Sequence, residues 1–123
     1  MVRNTSYIFE EDSCFEEAFL GVFLLDDREI NLLIDGISSS AFCIPLNKKI
    51  WNAMYELKTK GLNIDVITVK YQLLKNNPEI VQLKNDDGSD YIEMYLLELA
   101  NNVPSCKNIS SYAKIMKDRS VTK

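Results

Sequence analysis

The sequence predicts an all-α fold, a small orthogonal helical bundle of about six helices, and three observations carry that reading. Apolar residues recur at intervals of three and four along most of the chain. Residues that stop or restart helices (Gly36, Pro45, Gly61, Pro78, Gly88 and Pro104) fall between those stretches. The single run rich in Val and Ile, around Asp65, has no second clear strand to pair with, and one strand alone is not a fold.

Residues 1–12 read as a loose lead-in, residues 13–104 as the globular helical domain, and residues 105–123 as the start of a linker or hairpin helix. Asp12 or Ser13 is placed to cap the first helix, with Glu16 and Glu17 favourable in its first turn. Phe15, Phe19, Val22 and Phe23 then lie on one broad apolar face that Leu20 and Leu24 extend. Gly21 inside this helix costs about 1 kcal/mol against alanine and implies a close helix crossing. A second short helix, "DDREINLLIDGI", carries the stripe Ile30, Leu33 and Ile34 and stops at Gly36. A third is expected from about Leu46 to Lys60, with the stripe Leu46, Ile50, Met54 and Leu57 flanked by Trp51 and Tyr55, and Gly61 ends it. The isolated acid Asp65 follows this stop and a short extended piece. Its expected place is the N-cap of a fourth helix, roughly 66–76, with Thr68 sharing the capping. After a turn-rich link around Pro78 and Gly88, Ser89 or Asp90 caps a fifth helix, "YIEMYLLELANN", and Ser89 is taken as the structural cap. Ser105 or Asn108 caps a final helix with Ile109, Tyr112, Ala113 and Met116 inward.

The 123 residues suffice for one domain and are too few for two ordinary ones. A hydrophobic share of 46% supplies a modest core, while 26% charged residues with three Pro and four Gly argue against disorder. Net charge is −4, but residues 104–123 carry five basic residues and one acid against nine basic and 17 acidic over residues 1–103. The acidic body disfavours tight non-specific binding to duplex DNA. Lys107, Lys114, Lys117 and Arg119 in the basic tail are candidate phosphate contacts, although basic residues also simply suit a solvated helix C-terminus. Three separated cysteines (Cys14, Cys43, Cys106) and no histidine disfavour a zinc site and suit a reducing cytoplasm. No signal peptide is read at the start and no run reaches the roughly 18 apolar residues of a membrane helix, so no membrane partner is expected.

Catalytic material is sparse. The commonest base at neutral pH is absent, and no GxxxxGK[ST] loop is present to cradle phosphates. The acid pairs Asp26–Asp27 and Asp86–Asp87 lie in turn-like segments and read as solvated. Trp51, Tyr55, Tyr91, Tyr95 and Tyr112 are interleaved with apolar residues, so they read as core or interface and not as a base-stacking platform. The residues by themselves favour an interaction module over an enzyme, with no catalytic, cofactor-binding or metal-binding residue.

Four motifs in order then resemble the N-terminal domain of the DnaB family of replicative DNA helicases. They are Glu17, Ala18, Leu20 and Gly21; Phe42, Ile50 and Trp51; Gly61, Ile64, Asp65 and Thr68; and Pro104, Ser105, Asn108, Ile109, Tyr112 and Ala113. The resemblance covers roughly residues 14–118. It departs from the family at Asn47, where histidine is usual, and at Asp87–Gly88, where a Gly-Gly pair is usual. The stretch from Gly88 to Pro104 is about one helical turn longer than in the family. A divergent member is implied.

The resemblance implies a non-catalytic piece of a hexameric ring ATPase that unwinds DNA at replication forks. It would be the collar over the motor ring, pairing as dimers and docking primase and a helicase loader. ATP and Mg²⁺ would belong to the motor domain alone, and DNA would be engaged mainly by the complete ring. Leu20, Phe23, Tyr95 and Tyr112 are the candidate interface residues. A second reading is a small helical nucleic-acid binder using the basic tail, and a third is an adaptor not attached to a helicase.

Overall fold

A computed structural model describes residues 16–25, 36–101 and 109–121. The lead-in, the expected second helix, the caps Ser105 and Asn108, and Lys107 lie outside the described residues. Among those described, five α-helices form the bundle and no β-strand is present. They are α1 (residues 16–25), α2 (Pro45–Thr59), α3 (Val66–Asn76), α4 (Tyr91–Asn101) and α5 (Ile109–Val121). Short 3-10 helices at Ser39–Ala41 and Pro78–Gln82 join them.

The ends of these helices follow from local chemistry. Pro45 opens α2, where its missing N–H is no loss. Gly61, at φ +77°, closes it. The Leu62 amide reaches back to the Leu57 carbonyl at 2.9 Å and the Gly61 amide to Lys58 at 3.0 Å, the paired bonds of a Schellman stop. At α3 the Asp65 carboxylate accepts from the Thr68 amide at 2.8 Å while the Thr68 hydroxyl accepts from the Asp65 amide at 2.9 Å. This is a capping box in which threonine takes the place usually held by Glu or Gln.

The start of α4 requires a correction. Asp90, not Ser89, is the cap: its Oδ1 accepts from the Ile92 amide at 3.0 Å and the Glu93 amide at 3.2 Å. Ser89 belongs to the preceding turn. Its hydroxyl pairs with the Asn85 amide group at 2.9 Å and its own N–H donates to Asp87. A helix end can use one side chain at this position, and the residue next to N1 wins.

The core is centred on aromatic packing between α1, α2 and the bend before α2. The Phe19 ring stands edge-on to Phe23 at 4.9 Å, and Trp51 lies 5.4 Å from Phe19 and 5.7 Å from Phe42 between ring centroids. The Trp51 indole N–H donates to the Ile37 carbonyl at 3.0 Å, so this large side chain is buried without an unpaired donor. Met54 and Leu57 of α2, Val69 and Leu73 of α3, and Ile92 and Leu96 of α4 continue the same core. From α5, Ala113 and Met116 join it.

Leu20 and Phe23 are therefore not interface residues. Both are fully buried in α1, because the helix has an apolar arc wide enough to need covering on several sides.

Candidate docking surface and the polar seam beneath it

A buried carboxylate organises one side of the bundle. Glu16 is fully buried in the first described turn of α1. It shares its face with Phe19, Leu20 and Phe23, at the spacing that places residues one above another on a helix. Burying a carboxylate is costly unless it is paired and hydrogen-bonded. Glu16 meets both conditions. Its Oε1 accepts from the Asn47 amide group at 2.8 Å and, less closely, from the Ile44 amide at 3.3 Å. Its Oε2 accepts from the Cys43 amide and from Arg119 Nη2, the latter at 2.9 Å. The two amides come from the bend that leads into α2, Asn47 from the first turns of α2, and Arg119 from the last turns of α5.

The seam extends further through Asn47, which is itself fully buried. While its amide N–H₂ donates to Glu16, its carbonyl accepts from the Tyr95 hydroxyl at 2.6 Å. Burial, foremost, and the Glu17 carboxylate after it push the Tyr95 phenol above its ordinary range. The Tyr95 ring stacks on Tyr91, 6.1 Å between centroids and 11° from parallel. Tyr91 opens the outer face of α4, where Tyr91, Met94 and Leu97 are all exposed. The opposite face of the same helix, Ile92, Leu96, Leu99 and Ala100, is buried. A surface helix ordinarily turns a polar face outward. On the outer face of α4 the apolar Tyr91, Met94 and Leu97 stand among the exposed Glu93, Glu98 and Asn101, and together they make the candidate docking surface.

A second polar network clamps α2 to α3. Gln72 is buried, and its amide group donates to Glu56 at 2.9 Å and Asn76 at 3.0 Å while its carbonyl accepts from Lys60 at 2.8 Å. Lys70 of α3 bridges to Asp90 at 2.8 Å and Glu93 at 3.0 Å on α4. No buried side-chain N or O among the described residues lacks a partner.

The sequence-based candidates divide. Tyr95 is half-buried, packed on the core, and directed by Asn47. The side chain of Tyr112 lies outside the described set, although its backbone is in α5. Lys114 and Lys117 are exposed on α5. The stem of Lys117 runs over Gly36, where an added Cβ would come within 3.0 Å of its Cε. Arg119 is a correction: its guanidinium is turned inward onto Glu16 and the Cys43 sulfur, at 2.9 and 3.0 Å, and a phosphate would have to compete with the buried carboxylate for it.

Sequence reasoning missed Glu16, Asn47 and Gln72, yet each carries a legible sign. All three sit on the apolar stripe of their helix: Glu16 with Phe19 and Phe23, Asn47 with Ile50 and Trp51, Gln72 with Val69 and Leu73. A polar residue in a stripe position is a buried polar residue in search of partners.

Among the described residues no group of three or more Cys, Asp or Glu side chains is disposed to hold a metal ion, and no helix is long and apolar enough to cross a membrane. The fold is that of a small all-α helical domain. The chain matches the family model for the DnaB-like helicase N terminal domain over residues 10–118, and it belongs to that family. It is 31% identical over 106 residues to the replicative DNA helicase DnaC of Bacillus subtilis (strain 168), covering 86% of this chain and 22% of that protein. To the replicative DNA helicase DnaB of Buchnera aphidicola subsp. Baizongia pistaciae it is 32% identical over 110 residues, covering 88% of this chain and 22% of the relative. The chain thus spans about a fifth of the length of these relatives. Among solved structures, the N-terminal domain of DnaB helicase from Mycobacterium tuberculosis superposes with a TM-score of 0.69 at 23% identity, covering 88% of this chain and 71% of that one. That likeness speaks to the fold.

Proposed function

We propose that this domain is the collar and docking module of a hexameric replicative DNA helicase, supporting ring assembly and primase recruitment in the cytoplasm. The observation that carries the reading is the family match over nearly the whole chain, to relatives named as replicative helicases. The domain itself performs no chemistry. ATP and Mg²⁺ belong to a motor elsewhere in the complete protein, which is where the 5′–3′ helicase activity resides, and DNA is engaged mainly by the assembled ring. Residues 13–104 form the globular unit together with α5, whose Ala113 and Met116 lie in its core, and the linker or hairpin helix expected over residues 105–123 is thus packed on the domain. The exposed Tyr91, Met94 and Leu97 on the outer face of α4 support a docking role, because solvent-facing apolar side chains are of the kind that protein partners cover.

The test uses the complete protein. Removal of residues 1–121 is expected to reduce hexamer stability in sedimentation and to abolish stimulation by primase, while ATP turnover persists. A second variant, Met94→Glu with Leu97→Glu, is expected to fold normally and to lose docking. Unchanged assembly and primase response in the truncated protein would overturn the proposal.

The reading as a nucleic-acid binder draws less support. Arg119 is held by a buried carboxylate, and a phosphate would have to displace it.

A further inference from the structure

We infer that the four side chains Arg119, Glu16, Asn47 and Tyr95 form a mechanical link that sets the packing of the two tyrosines on α4 according to whether α5 is docked on the bundle.

The link is continuous. Arg119 Nη2 donates to Glu16 Oε2 at 2.9 Å, Asn47 donates to Glu16 Oε1 at 2.8 Å, and the Tyr95 hydroxyl donates to Asn47 at 2.6 Å. Its members belong to α5, α1, α2 and α4, so a chain of side-chain hydrogen bonds runs through four helices that also share the apolar core. Each bond also fixes the next. A buried amide that donates at one end and accepts at the other cannot turn over without losing both bonds. Asn47 therefore transmits the position of the Glu16 carboxylate to the Tyr95 hydroxyl. Tyr95 in turn is stacked on Tyr91, which is exposed on the outer face of α4.

Arg119 is the cation paired with Glu16. When α5 leaves, the carboxylate loses its cation and the helix that covers it, and keeps only neutral donors. It then admits water or swings outward. Each response changes what Glu16 asks of Asn47, and through Asn47 the hold on Tyr95 loosens. Docking of the C-terminal helix and the shape of the outer face of α4 are in this way two ends of one equilibrium, and the coupling is reciprocal. An event that pulls on α5 alters the α4 face, and a molecule seated on α4 strengthens or weakens the seating of α5. The link holds whether or not the chain is part of a helicase.

The test is a double-mutant cycle in the intact chain, pairing Arg119→Gln with Tyr95→Phe and reading the unfolding equilibrium in urea. The two residues share no bond, so independent effects would multiply. The link predicts a departure from multiplication of about threefold or more, and its disappearance when Asn47→Leu is present in every corner of the cycle. A second measurement follows the tyrosine ring resonances. Arg119→Gln, and the milder Arg119→Lys if the first variant fails to fold, should shift Tyr91 and Tyr95 while Tyr55 and Tyr71 stay in place. Multiplicative effects, or ring shifts spread equally over all four tyrosines, would overturn the inference.

Discussion

Arg119 and Glu16 stand 103 positions apart in the chain and meet at 2.9 Å, the carboxylate fully buried and the guanidinium still partly open to solvent. The pair ties the last described helix to the first. Because the carboxylate also accepts from two backbone amides and Asn47, it is satisfied at both oxygens.

Removing either partner is expected to destabilise the domain unequally. Arg119→Ala removes one charge-assisted bond and should lower the unfolding free energy by about 2 kcal/mol. Glu16→Gln keeps the shape but turns an N–H₂ toward groups that donate, and should cost about 3 kcal/mol or more. Urea titrations followed by circular dichroism measure both. An equal or smaller loss for Glu16→Gln would refute the accounting of donors.

Asn47 offers a sharper contrast. A neutral imidazole can donate at one nitrogen and accept at the other, so Asn47→His can hold both Glu16 and Tyr95. Asn47→Asp places a second carboxylate against Glu16 and offers it no donor. The expected losses are about 1 kcal/mol for histidine, set mainly by its larger volume, and about 3 kcal/mol for aspartate at neutral pH. Unfolding midpoints of the two variants decide it.

Trp51 is the single tryptophan, and its burial makes its fluorescence a direct report of the core. Emission should be blue-shifted in the folded protein and move to longer wavelength in one cooperative step with urea. Trp51→Phe should be milder than Trp51→Ala, which is expected to cost about 4 kcal/mol from lost packing. A chain already showing solvent-exposed emission without denaturant would contradict the aromatic core.

At the helix ends the losses should be smaller. Asp65→Ala is expected to cost about 1 kcal/mol, since it removes the acceptor for the Thr68 amide. Gly61→Ala should cost about the same for a different reason. Its φ of +77° disfavours a side chain, although nothing lies within 4 Å of the Cβ that would be added. Thermal melts of the two variants and their combination should add, because the strain and the lost bond are independent.

The dependence on pH follows from Lys70, Asp90 and Tyr95. The bond to Lys70 holds the Asp90 carboxyl below its ordinary 3.8, so its contribution is complete above that value and vanishes as pH falls through the lower folded value. The bond to Asp90, and then that to Glu93, holds Lys70 above 10.5. Its contribution is complete below 10.5 and is lost as pH rises through the higher folded value. Tyr95, raised above 10.0 chiefly by burial, acts in the same direction as Lys70. Lys70→Met should therefore flatten the acid limb of the stability profile and part of the alkaline limb, with Asp90 and Lys70 contributing only about 0.5 kcal/mol in their partly exposed setting. Tyr95→Phe should flatten only the alkaline limb. Unfolding midpoints across a pH series separate the two.

Whatever depends on near neighbours was legible in the order of residues. Helix periodicity, the glycine stop at Gly61 and the Asp65–Thr68 cap are settled within a few residues, where the chain's own geometry brings the groups together. The choice between Ser89 and Asp90 was already finer than spacing could resolve, since both are good cap residues one position apart. Packing fixed everything that depends on which helix faces which. Leu20 and Phe23 went inward because α1 is covered on several sides, and Arg119 turned from solvent to Glu16 because α5 packs on the same core as α1. A residue's periodicity tells which side of its helix it occupies, but only packing tells what stands opposite, and for a buried charge the opposite group is the whole of the chemistry.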